Sequence, residues 1–139
     1  MKNYLNFFMD SLFRVAGDEH QQQDFMIRFY EIFMESSPDV AARFRATDMA
    51  RQQHMLARSL HEMLDFATTR AASEHLRRIA ERHSRANMNI PPRLYDTWLD
   101  CLIDTAREFD TRFNDETELA WRVVLAPGVA YMKFKYDRA

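Results

Sequence analysis

The chain contains a single cysteine, Cys101, among 139 residues. No internal disulfide can form, which excludes the stapled scaffolds of small secreted domains and suits a reducing compartment. Glycine is nearly missing, with 2 residues, and there are 4 prolines. A chain so short of corner residues cannot supply the tight turns of hairpins, nor a glycine-rich loop to cradle a phosphate. No stretch alternates polar and apolar residues long enough to make a strand. The formal charge of −2 gives no general attraction to nucleic acid. No long uninterrupted apolar run occurs either. The opening MKNYLNFFMDSLFRVAG is broken by Asn6, Asp10 and Arg14, so it is neither a secretion signal nor a membrane span. The expectation is a cytoplasmic protein with no membrane or nucleic-acid partner.

What remains is helix-forming material. Hydrophobic residues make up 47% and aromatics 13%, enough for one core in a single domain over residues 1–139. A first helix is expected over Asn3–Val15, stopped by Gly17, and a second from an Asp18 cap to Ser36. Pro38 can open a short helical turn. Thr47 or Asp48 caps a long helix to about Ala67, with Met49, Leu56, Leu60, Met63 and Leu64 as its stripe. Another helix covers Glu74–Arg85. Pro91 is expected to open a helix reaching Phe109, and Asn114 one that runs through Trp121 toward Tyr136, bent near Leu125 by Pro127. The class is all-α, with six substantial helices and a short turn at Pro38.

His83 is the most informative residue. In the Glu74–Arg85 helix, Leu76, Ile79, Ala80 and His83 share one face at steps of three and four, so an imidazole continues an apolar stripe. A buried imidazole needs a partner, either a backbone carbonyl or a metal ion. Tyr30 lies on the wide apolar face of the second helix, where it is otherwise an ordinary core tyrosine. Gln52 and Gln53 both fall near the stripe of the long helix, and the step of four to Leu56 favours Gln52 if one is used. His54 and His61, and Asp100 and Asp104, read as solvated pairs.

Together, FYEIFMESSPDVAARF (29–44), Gln52 with Leu56, and IAERH ending at His83 resemble a globin, closest to the bacterial single-domain type and the haem domain of flavohaemoglobins. The match runs from the second helix onward. The resemblance implies a globin fold, a helical sandwich around a pocket for haem b. It makes His83 the iron ligand, Phe44 the aromatic against the haem edge, and Tyr30 and Gln52 the pair that stabilises the gas. Leu56 becomes the apolar residue over the iron, Tyr95 the tyrosine beside His83, and Leu76, Ile79 and Ile90 the wall on the His83 side. Arg78, Arg82 and Arg85 cluster opposite the His83 stripe and read as surface charge, with Arg82 or Arg85 the candidate to reach a haem propionate.

The implied function is reversible binding of oxygen or another diatomic gas, such as carbon monoxide or nitric oxide, at five-coordinate iron. Hydrogen bonds from Tyr30 and Gln52 to a polarised ligand would contribute about 1.5–3 kcal/mol each. Two alternatives stand beside it: nitric oxide dioxygenation served by an external reductase, and a helical sensor module. One departure weakens the enzymatic reading. Flavohaemoglobin-type globins carry a glutamate on the last helix that pairs with the iron-bound histidine, whereas here Trp121–Tyr136 has no acidic residue and Tyr136 falls near that place.

Overall fold

A computed structural model describes residues 3–138, among which there are seven α-helices and no strand. They are α1 (Tyr4–Ala16), α2 (Glu19–Glu35), α3 (Pro38–Arg43), α4 (Met49–Thr69), α5 (Glu74–His83), α6 (Arg93–Phe109) and α7 (Asp115–Lys135). No helix among them is long and apolar enough to cross a membrane.

Short polar side chains start most of these helices by accepting from an otherwise unbonded amide of the first turn. Asn3 does so for α1, Asp18 for α2, Ser73 for α5 and Asn114 for α7. Of the two candidates before α4, Asp48 is the cap, through the Arg51 amide. Pro38 opens α3 from its first turn.

Three boundaries differ from the sequence expectation by two residues. The α4 helix continues to Thr69 and ends on Arg70 in the left-handed region at φ 61°. The α5 helix ends at His83, two residues early. Ser84 turns extended there, its hydroxyl donates to the Glu81 carbonyl at 2.7 Å, and the Asn87 side chain donates to the same oxygen at 2.9 Å. These side chains take the acceptor that a further helical turn would use. The α6 helix begins at Arg93, because Pro92 keeps the preceding Pro91 out of helical backbone.

The Pro127 ring lies within α7 without breaking it. Its missing N–H frees the carbonyl of Val123, a residue exposed to water. Gly128 follows because α4 crosses closely: a Cβ there would meet Met63 Cγ at 2.8 Å.

The α7 helix is the central element, packed against α1, α4, α5 and α6, while α2 packs against α1, α3, α4 and α6. Where α1 meets α7, Phe8 sets its ring edge-on to Trp121 at 4.9 Å, and both are fully buried. A polar cluster fastens the same junction. Trp121 Nε1 donates to Ser11 Oγ at 2.9 Å, and Ser11 donates to Asp110 Oδ2 at 2.7 Å. Arg14 grips the Asp110 carboxylate with two bonds, at 2.7 and 2.9 Å. The chain is thereby tied from α1 to the turn after α6 and on to α7.

Burial alone would push the Asp110 carboxyl up. Hydrogen bonds from Arg14, Ser11 and the Arg112 amide outweigh it and hold the group below the usual carboxylate range. A depressed folded pKa means stability that is present above the unfolded value near pH 4 and lost as pH falls through the folded value. Replacing Asp110 with Ala should cost about 1–3 kcal/mol in urea unfolding at neutral pH, because the buried Ser11 hydroxyl and the partly exposed Arg14 both lose their acceptor. Asp110→Asn should flatten the fall in stability below about pH 4. An unchanged acid slope in that variant would show that Asp110 does not contribute to it.

Candidate functional site

One cavity of about 240 Å³ opens between the helices, and every site residue chosen from the sequence lies on its wall. Tyr30 comes from α2, Phe44 from the end of α3, and Gln52 and Leu56 from α4. Leu76, Ile79 and His83 come from α5, Ile90 from the following loop, and Tyr95 from α6. Six segments far apart in sequence thus converge. Among the described residues, no aspartate or glutamate lies on the wall.

His83 is held in one tautomer. Its Nδ1 lies 2.7 Å from the Ile79 carbonyl, which can only accept, so Nδ1 carries the proton. The Nε2 atom keeps its lone pair, and no side chain or backbone group among the described residues bonds to it. Burial is the main reason that the imidazole sits below the usual histidine pKa, and Arg82 adds a smaller push in the same direction; the Ile79 bond opposes both. At neutral pH the cavity is therefore offered an uncharged nitrogen donor, suited to a transition metal.

A second polar group comes from α2 and α4. Gln52 Nε2 donates to the Tyr30 hydroxyl at 3.2 Å. The phenol oxygen accepts that bond, which leaves its own proton free to donate elsewhere. Tyr30 is 3% exposed, and burial pushes its pKa up to about 12, with the Gln52 bond working the other way. It stays a neutral phenol under ordinary conditions. Phe44 meets the Tyr30 ring edge-on at 5.3 Å and restricts its motion. Gln53 does not reach the wall, so the geometry selects Gln52.

Tyr95 lies beside His83, with ring centroids 6.5 Å apart, and burial raises its pKa. Tyr136 is not on the wall. Its hydroxyl donates to Asn89 Oδ1, in the loop that follows α5. Asn89 itself adopts φ 54°, and its amide donates to the Ser84 carbonyl at 2.8 Å. That fold of the loop turns Met88 and Ile90 to the cavity.

The rim is cationic. Arg43 and Arg82 are exposed yet reach the wall. Arg43 also pairs with Asp39 at 3.2 Å and donates to the Met88 carbonyl at 3.3 Å. Arg85 is turned away, paired with Asp137 at 2.7 Å and lying over the Tyr136 ring. His54 and His61 are exposed, and no metal-holding cluster of His, Cys, Asp or Glu occurs among the described residues. Asp100 and Asp104 are committed to Arg122 and Arg107.

Sequence reasoning missed several wall residues. Ser59 and Trp98 lie three residues after Leu56 and Tyr95, so helical spacing could have found them. Val129 and Met132 of α7 had no such signal, because one face of that helix serves both the core and the cavity.

No family model matches the chain, and no curated protein matches it. A solved structure does, with a TM-score of 0.88 at 35% identity, over 97% of this chain and 99% of the other. That structure is the crystal structure of a Pseudomonas aeruginosa PAO1 protein, described as structurally highly homologous to a human haemoglobin.

Nitrogen-15 NMR of the protein at neutral pH should report His83 as neutral with the proton on Nδ1. A proton on Nε2 would contradict the arrangement above.

Proposed function

Since the chain belongs to the globin family, we propose that it binds haem b in this cavity through His83 and reversibly holds a diatomic gas, oxygen above all, beside Tyr30 and Gln52. The observation that carries the reading is a largely apolar cavity whose wall holds both His83, its Nδ1 bonded to the Ile79 carbonyl and its Nε2 without a partner among the described residues, and the hydrogen-bonded pair of Tyr30 and Gln52.

When bound, the haem supplies an iron atom with one protein ligand and an open position for a gas. The protein's part follows from its own side chains. His83 gives its Nε2 lone pair, and its bond to the Ile79 carbonyl keeps the ring oriented. Leu76, Ile79, Ile90 and Leu56 line the cavity; the first three would cover the haem on the His83 side, and Leu56 would keep water from the gas. Phe44, on the same wall, would pack against the haem. Arg43 and Arg82 stand at the rim, where guanidinium groups can pair with carboxylates of a porphyrin.

Tyr30 would donate its free proton to a polarised gas, while Gln52 holds the phenol in place and retains a second amide hydrogen. Carbon monoxide is less polar when held, so this pair favours oxygen.

Nitric oxide dioxygenation with a separate reductase would use the same pair. The partner of His83 is a neutral carbonyl, and no carboxylate lines the cavity to push electron density through the imidazole. That arrangement favours gas binding over redox turnover.

Purified protein should show an intense Soret band, and its ferrous form should change spectrum with carbon monoxide. Failure to take up added haemin would end the reading. Haem should also raise the melting temperature, since it binds the folded state alone. Replacing His83 with Ala should abolish the five-coordinate ferrous spectrum. Tyr30→Phe should speed oxygen release by about tenfold to a hundredfold, the range of a hydrogen bond worth about 1.5–3 kcal/mol. Stopped-flow release at the native rate would remove Tyr30 from the proposed role.

A further inference from the structure

The α7 helix is apolar nearly all round. Its inner face buries Ala120, Trp121, Val124, Leu125 and Val129. A helix of that kind is normally covered on every side. Yet from Leu119 to Lys135 its exposed positions are Leu119, Val123, Ala126, Ala130 and Phe134, and each of them is apolar. They follow at steps of four, three, four and four, which stacks them in one stripe about 22 Å long on the side away from the core. Leu119 is 43% exposed, Val123 46% and Phe134 56%.

A helix surface meant for water looks different in the same molecule. The exposed stripe of α4, a helix of equal length, reads Arg51, His54, Arg58, His61 and Asp65. Beside the α7 stripe, the flank toward α6 is charged. Glu118, Arg122 and Lys133 pair there with Arg107, Asp100 and Asp96. An apolar strip with a charged border is the layout of a protein interface, dry at its centre and polar at its rim.

Two features of the stripe select its occupant. The first is symmetry. Leu119 and Phe134 lie equally far from the point between Ala126 and Pro127, and so do Val123 and Ala130. The large side chains stand at the ends, and the small ones near the middle let a second helix come close. The second feature is charge. The first turn of α7 is acidic, with Asp115, Glu116 and Glu118, and its last turn is basic, with Lys133 and Lys135. A copy turned end to end sets acidic turn beside basic turn and opposes the two helix dipoles, whereas a parallel copy sets like beside like. Asp115 and Lys135 are in no ion pair among the described residues, so both are available to a partner.

We propose that the outer face of α7 pairs with the same face of a second copy of this chain, the two helices antiparallel about a two-fold axis between Ala126 and Pro127. Such a contact is self-complementary, as a closed dimer requires. Leu119 then packs on the partner's Phe134 and Val123 on the partner's Ala130, while Ala126 marks the closest approach of the two backbones. The Arg138 guanidinium lies over one face of the Phe134 ring at 4.2 Å and leaves the other face for the leucine. The Val123 carbonyl freed by Pro127 falls on the flank of the stripe, within reach of water at the rim. Dimerisation through this face does not depend on haem, although Val129 and Met132 of the same helix line the cavity behind it.

Sedimentation velocity of the purified full-length protein, from about 1 to about 200 µM, should show monomer giving way to a species of twice 16.6 kDa. Val123→Glu and Ala126→Glu should each weaken that dimer at least about thirtyfold, because each copy then brings an unpaired charge into the contact. Both positions face water in the single chain, so helix content by circular dichroism should be retained. Ile27→Glu, at an exposed apolar position on α2, which does not pack against α7, should change dimerisation by less than about twofold. Air oxidation with copper phenanthroline reads the orientation, and the buried Cys101 does not compete. A mixture of Leu119→Cys and Phe134→Cys proteins should form a disulfide between them. Leu119→Cys alone should stay unlinked, since its two copies of the thiol lie about 22 Å apart in the antiparallel pair. A protein that remains monomeric through the whole range would overturn the proposal. So would a dimer that Ala126→Glu leaves intact, or a Leu119→Cys protein that links to itself in preference to Phe134→Cys.

Discussion

The 2.7 Å contact between His83 Nδ1 and the Ile79 carbonyl governs the chemistry of the cavity. It occupies the one proton of a neutral imidazole and leaves the other nitrogen as a base. It also depends on backbone structure at both ends. Ile79 must be helical to aim its carbonyl along α5, and the helix must stop at Ser84 so that the loop can return over the opening. The Ser84 and Asn87 side chains enforce that stop by taking the Glu81 carbonyl. The acceptor is a neutral carbonyl and not a carboxylate, so the ring receives orientation with little added basicity. This agrees with the lack of acidic residues between Trp121 and Tyr136.

A cavity lined by large side chains needs rigid surroundings, and the other half of the core provides them. Away from the cavity, Phe8 meets Trp121 and Phe25 meets Phe109 edge to face, and Phe25 lies tilted against Trp121. The buried Asp110 draws Arg14 and Ser11 of α1 onto the turn before α7. Such a cluster is favourable only because every member has a partner; among the described residues no buried side-chain N or O lacks one. The α7 helix carries this firmness to the cavity, where Val129 and Met132 extend the face that begins with Trp121.

Much of this could be read along the chain. Scarce glycine and proline pointed to long helices, and most caps were visible as Asp, Ser or Asn before an apolar stripe. His83 stood out because a polar ring interrupted a regular apolar face. Tyr30 and Gln52 were ambiguous by position alone, since a tyrosine on an apolar face and a glutamine at a stripe edge are common. The resemblance to a known family selected them, and in the fold they bond to each other. Arg82 and Arg85 could not be told apart in sequence. The early end of α5 separates them, leaving Arg82 at the rim and sending Arg85 to Asp137.

Composition and helical periodicity determined the all-α class, the order of the helices and which face of each is apolar, because these follow from neighbours three and four residues apart. Tertiary structure alone decided that the Gln52 amide donates to the Tyr30 oxygen, that Tyr136 serves Asn89 instead of His83, and that α7 closes the cavity. Those outcomes turn on tenths of an ångström between residues tens of positions apart. Spacing along one helix carries no information about which distant side chain will fill the place across from it.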